Sequence, residues 1–221
     1  MSKTRFFLVI ALLGLCCGIG TMTYLPQYLK YQKGDIKDFE TVAAGELQNG
    51  DLVQGVIDFT DGCIAQNEET KSTFGIETSK RTASQYYAVY MYNDQYILYE
   101  TSNQAQYHTL ETLANECEMY YESLEEVYGE GGSENAEDLI QPTTTLEFTA
   151  VAKKMPDDLS AIFREWYGEG FDQDCETVML RNTDFSSLLR NVLIGAGLLV
   201  LGIVFMIITI ISWRKSKQFS Y

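Results

Sequence analysis

One histidine in 221 residues removes much of the usual hydrolytic and metal chemistry. His108 has no partner for an HExxH pair, and no serine sits in a GxSxG turn, so the common zinc-protease and serine-hydrolase arrangements have no residues to be built from. The predicted helix around His108 puts Glu111 and Thr112 on its own face, one position off the apolar stripe, which reads as a solvated histidine. CxxC is also missing. Cys63, Cys117 and Cys175 stand singly, so one disulfide among them is the most the spacing allows. Basic residues are few, 16 against 31 acidic, for a net charge of −15. All 31 acidic residues lie from Asp35 to Asp184 against ten basic ones from Lys30 to Arg181, so the middle of the chain carries −21. Bulk attraction to nucleic acid or to anionic lipid is thereby excluded.

Acidity invites a calcium reading, which fails on position. Asp172, Asp174 and Glu176 alternate as in an EF-hand loop, but Thr177 stands where glycine is needed and Thr183 where a bidentate glutamate is needed. Paired carboxylates for glycoside hydrolysis have no tryptophan-lined cleft to serve, Trp166 being the one Trp between Asp35 and Asp184. No metal, cofactor or catalytic residue is therefore expected.

Two apolar runs are present. Val192 to Ile211 holds one polar side chain, Thr209, in twenty positions, the length of a membrane-spanning helix. Phe6 to Met22 is apolar except for Thr21 and follows Lys3 and Arg5. It reads as an uncleaved anchor, extended by the interfacial Tyr24, Leu25 and Tyr28; a signal peptide cleaved after the small residues Gly18 and Gly20 is the alternative. Gly14 and Gly18 form a GxxxG that either packs against a neighbouring helix or reflects the ordinary glycine content of spans. Lys3 and Arg5 before the first run, with Arg214, Lys215 and Lys217 after the second, place both ends in the cytoplasm. The expected plan is a cytoplasmic tail at 1–5, a span at 6–24, an extracytoplasmic domain at 25–187, a second span at 188–213 and a tail at 214–221.

Within the domain, Asn49-Gly50-Asp51 signals a turn before a strand from Leu52 to Phe59, with Gly55 a candidate bulge. Gln66 to Gln85 is polar and reads as a long loop. Tyr86 to Glu100, YYAVYMYNDQYILYE, reads as a hairpin turning at Asn93-Asp94. A two-residue turn puts Tyr87, Val89, Met91, Tyr96 and Leu98 on one face and Tyr86, Tyr90, Tyr92, Ile97 and Tyr99 on the other. Tyr86, Tyr90, Tyr92 and Tyr99 are thus the candidate binding residues, set against the alternative that this face is core. A helix capped by Ser102 or Asn103 runs to Tyr128, with Tyr107, Leu110, Ala114, Cys117, Tyr121, Leu124 and Tyr128 as its stripe. An acidic loop at Gly129 to Gln141, a strand at Thr143 to Ala152, a short helix in DDLSAIFREWYG ending at Gly168, and a strand at Cys175 to Arg181 complete the order. Five strands with a helix after the third predict an α+β domain of OB-like barrel type, in which Val56, Val89, Leu98, Phe148 and Val178 share one interior.

The basic start, the first span, LQNGDLVQGVIDF, the tyrosine-rich hairpin, LEFTAVAKKM and the second span ending in WRKSK together resemble the two-span membrane proteins of unknown function found in Gram-positive bacteria. That resemblance implies the topology and carries no chemistry. The function expected is a membrane-anchored, non-enzymatic binding or accessory module, in contact with the bilayer and with a protein partner or a second copy. An envelope hydrolase with an unrecognised site is the alternative.

Overall fold

The computed structural model describes residues 3–73, 76–128 and 139–218. The chain divides into two compact units, one of residues 1–35 with 184–221 and one of residues 36–183.

The first unit is helical. Helix α1 (Lys3–Met22) is followed by α2 (Leu25–Lys33), which stops where Gly34 takes a left-handed φ of 69°. The last helix, α6, runs Ser186–Gln218. Two stretches, Arg5–Lys33 and Ser186–Arg214, are long and apolar enough to cross a membrane. Along α1 and α6 small residues let backbones approach. A Cβ on Gly14 would lie 3.1 Å from the Gly202 Cα, and one on Gly18 would lie 2.8 Å from the Leu199 amide nitrogen. Phe7 stacks on Phe205 at 5.9 Å nearby.

The second unit is one open sheet of seven strands with helices on both faces. Its strands are β1 (Ile36–Asp38), β2 (Leu52–Ile57), β3 (Thr60–Thr73), β4 (Ile76–Met91), β5 (Gln95–Thr101), β6 (Leu146–Lys154) and β7 (Cys175–Asn182), in the order β1-β2-β6-β7-β5-β4-β3. The pairs β1/β2 and β5/β7 are parallel and the others antiparallel. Helix α3 (Gln104–Tyr128) covers one face, with Leu110, Leu113 and Cys117 packed on Tyr87, Val89, Tyr99, Phe148 and Leu180. Helices α4 (Asp157–Tyr167) and α5 (Phe171–Asp174) cover the other, with Leu159, Phe163 and Phe171 packed on Tyr86, Ala88, Leu98 and Met179.

The α+β class holds, but the sheet does not close into an OB-like barrel. A small barrel has one inward apolar face; here both faces are buried under helices, so the sheet stays open as a layer between them. The single interior expected for five residues is accordingly split. Val89, Phe148 and Val178 lie in the α3 cluster, Leu98 lies in the α4 cluster, and Val56 is half-buried outside both. A strand was also missed, since β1 adds beside β2 in only three residues.

Three local expectations change as well. Gly55 is not a bulge but pairs regularly with Phe148, and a Cβ there would meet the Phe39 Cβ at 2.5 Å; the glycine makes room for Phe39. The polar stretch read as a loop at Gln66 to Gln85 is the ladder of a long β3–β4 hairpin, from Gln66↔Gln85 out to Thr73↔Ile76. Backbone pairing needs no apolar side chains, and the arm is rich in threonine, a strand former. On α3 the buried line is Leu110, Leu113, Cys117, Ser123 and Val127, whereas Tyr121 and Tyr128 of the expected stripe are exposed. Asn103 does cap this helix, its Oδ1 accepting the Ala105 N–H at 2.9 Å. The expected acidic loop at Gly129 to Gln141 falls largely at residues 129–138, outside the described residues.

Candidate functional site

The tyrosine hairpin decides the site through its register. Asn93-Asp94 was expected as a two-residue turn; the structure has a three-residue loop, Tyr92, Asn93 and Asp94, closed by the Asp94 N–H donating to the Met91 carbonyl at 3.2 Å. Asp94 takes φ 64°, which aspartate tolerates, giving the type I turn plus left-handed residue of three-residue hairpins. The ladder is Met91↔Gln95, Tyr90↔Tyr96, Val89↔Ile97 and Tyr87↔Tyr99. One added loop residue carries every β5 side chain to the opposite face from the one expected.

The four candidate tyrosines therefore do not share a surface. Tyr99 is fully buried against Phe148 in the α3 core. Tyr86 is buried on the α4 side, its hydroxyl accepting from Ser84 at 3.3 Å. Tyr90 and Tyr92 reach a groove. Gly14 and Gly18 lie between α1 and α6, as described above.

The groove has a volume of ≈ 540 Å³ and is walled by Asp58 and Phe59 from the β2–β3 connection, Tyr90, Tyr92 and Tyr96 from the hairpin, and Tyr120, Tyr121 and Leu124 from α3. Phe59 is the hub, its ring lying edge-on to Tyr90 at 6.2 Å, Tyr120 at 6.0 Å and Tyr121 at 5.5 Å. Tyr96 continues the cluster to Tyr90 at 5.4 Å and Tyr167 at 4.8 Å. Such pairs add about 0.5–1.5 kcal/mol each beyond burial, which holds the walls without a ligand. A second concavity of ≈ 610 Å³ adjoins through Tyr121 and is acidic, with Asp61, Glu118, Glu122 and Glu125 beside Trp166.

A β-bulge aims Asp61. The β3–β4 register shifts between Thr60 and Gly62, Gly62 takes φ 100°, and the Thr60 hydroxyl locks the bend by donating to the Ala88 carbonyl at 2.6 Å and accepting the Gly62 N–H at 3.1 Å. Asp61, left unpaired in the ladder, accepts from Tyr167 at 2.6 Å and Tyr121 at 3.3 Å. Asp58 accepts from Tyr92, and Asp94 accepts from Tyr90 at 2.6 Å. These bonds hold protons on the phenols. Asp58, with some burial, pushes Tyr92 up to about 12. Asp94 raises Tyr90, and burial followed by hydrogen bonding raises Tyr121 and Tyr167. These tyrosines are neutral donors whose hydroxyls are tied down, and Tyr90, Tyr92 and Tyr121 line the groove.

Burial raises the thiols of Cys63, Cys117 and Cys175, the last to about 12, and all five cysteines are free. Among the described residues no group of three or more His, Cys, Asp or Glu side chains could hold a metal ion.

Sequence reasoning missed Asp58, Phe59, Asp61, Tyr96, Tyr120, Tyr121 and Tyr167. The adjacent pair Tyr120-Tyr121 was the available signal, because neighbours on a helix point about 100° apart and cannot both face one core. Compared with protein-family models, curated proteins and solved structures, the chain matches none.

Proposed function

We propose that the chain is a membrane-anchored binding module, held in the bilayer by α1 and α6 with both ends cytoplasmic, whose extracytoplasmic domain engages a protein partner through the aromatic groove. The observation that carries this reading is the groove itself. Exposed aromatic rings, braced by one another and by carboxylates, form a preorganised contact surface of the kind on which interface energy concentrates. The close mating of Gly14 and Gly18 with α6 supports retention of the first helix, since a cleaved leader has no need of such a seam. Arg214, Lys215 and Lys217 support the orientation.

The test is a photocrosslinking amino acid at Tyr92, which is 49% exposed at the groove. Irradiated in native membranes, the full chain should yield a discrete protein adduct that disappears with Tyr121→Leu and does not form from the same probe at the exposed Thr145. An adduct at twice the 25.0 kDa chain mass would identify a second copy as the partner. Equal adducts from both probe positions, or none from position 92, would refute the reading.

A further inference from the structure

The geometry points to a cationic ligand class for this groove: an arginine-bearing extended segment of the partner protein, with a guanidinium seated on the tyrosine rings and the adjoining chain running along the acidic concavity. This rests on the binding-module reading and names the chemistry of what is bound.

Three observations carry it. The groove offers ring faces, because the hydroxyls of Tyr90, Tyr92 and Tyr121 are turned onto Asp94, Asp58 and Asp61. A cation within about 6 Å of such a face is attracted to the ring's negative quadrupole. Second, the charges lining both concavities are of one sign. Asp58, Asp61, Glu118, Glu122 and Glu125 line them, and among the described residues no Lys or Arg does and none of the five is in a salt bridge. Residues 36–183 hold 29 acidic and 8 basic side chains, so the surrounding field draws cations to the same place. Third, the two concavities meet at Tyr121 and lie open to solvent, a track that suits an extended chain better than a small ammonium ion that needs enclosure.

Arginine fits better than lysine. A planar guanidinium stacks on a tyrosine ring while its edge donates to a carboxylate, and Asp58 and Asp61 sit at the ring edges to accept. An ammonium has no plane to lay on a ring and no paired fork of donors to match a carboxylate.

The experiment uses the full chain in phosphatidylcholine nanodiscs at physiological salt, titrated with a fluorescein-labelled Gly-Ser peptide carrying two arginines. Matched peptides replace arginine with citrulline, lysine or glutamate. The arginine peptide should bind at least tenfold more tightly than the citrulline peptide, lysine should fall between, and glutamate should not bind. Tyr90→Leu with Tyr121→Leu should weaken arginine binding about tenfold, whereas Glu147→Gln with Asp158→Asn, removing two charges outside the track, should change it less than twofold. If the double tyrosine variant melts lower, Tyr121→Leu alone, at a 44% exposed position, should still weaken binding severalfold. Equal binding of citrulline and arginine, or equal losses from the tyrosine and remote-charge variants, would overturn the inference. A crosslinked adduct at position 92 that excess arginine peptide fails to displace would overturn it too, while leaving the binding module standing. No adduct combined with tyrosine-dependent peptide binding would do the reverse.

Discussion

Tyr99 and Tyr92 separate core from surface within the same hairpin. Tyr99 is fully buried, its ring 5.2 Å from Phe148, its hydroxyl donating to Gln106 Oε1 at 3.3 Å. Burying an aromatic side chain removes roughly 150–250 Å² from water. At about 25 cal/mol per Å² this is about 4–6 kcal/mol as an upper bound. Truncation to alanine keeps part of that area but leaves a cavity, so Tyr99→Ala should cost about 3–5 kcal/mol. In a unit of this size each kcal/mol moves the melting temperature by about 2–4 °C, predicting a fall of roughly 6–20 °C. Tyr99→Phe should cost no more than about 1 kcal/mol, because Gln106 Oε1 keeps the Thr101 hydroxyl at 2.5 Å. Tyr92→Ala removes a side chain 49% exposed and one hydrogen bond to Asp58, and should stay near 1 kcal/mol. Near-UV circular dichroism of the purified full chain reads all three, since it follows tyrosine packing rather than helix content. Were Tyr92→Ala as damaging as Tyr99→Ala, or Tyr99→Ala nearly silent, the three-residue loop and the register derived from it would be wrong.

Gly18→Ile should separate α1 from α6, because its side chain would occupy the space of the Leu199 backbone; oxidative crosslinking of a Phe7→Cys, Phe205→Cys pair in a background free of native cysteines should then fall sharply. Glu116 ties α3 to the segment before β6 by accepting the Thr143 and Thr144 N–H groups at 2.7 and 2.8 Å and the Thr144 hydroxyl at 2.7 Å, and these bonds hold its carboxyl below the ordinary value of 4.5. A depressed folded-state pKa gives stability that is present above the unfolded value and lost as pH falls through the folded one, so the melting-temperature gap between the native chain and Glu116→Gln should be full near neutrality and close in acid. For topology, in a background free of native cysteines, Ser102→Cys should react with a membrane-impermeant thiol reagent on intact cells and Ser216→Cys only after lysis, while the intact mass of the native chain should retain the first twenty residues; reversed labelling or a shortened chain would refute the proposed arrangement.

Helices α1, α3, α4 and α6, the cap at Asn103 and the two apolar runs were legible because each depends on neighbours within a few residues. Twenty apolar positions, a 3.6-residue stripe or an Asn before a helical run are local facts. What failed was set at a distance. Whether Tyr99 is core or surface depended on a one-residue difference in the turn, since a strand has period two and any odd slip exchanges its faces. The polar ladder at Gln66 to Gln85 showed no apolar alternation because an edge hairpin is held by backbone bonds. Barrel against open sheet turned on whether α4 and α5 cover the second face, which no single segment encodes. The groove is the extreme case. Its walls come from residues 58–59, 90–96 and 120–124, and Asp61 reaches its tyrosines by a bulge and a glycine at φ 100°. Sequence alone supplied the rings and the carboxylates; only the packing of α3 across the edge of the sheet brought them together, because side-chain proximity between distant segments is a property of the folded chain.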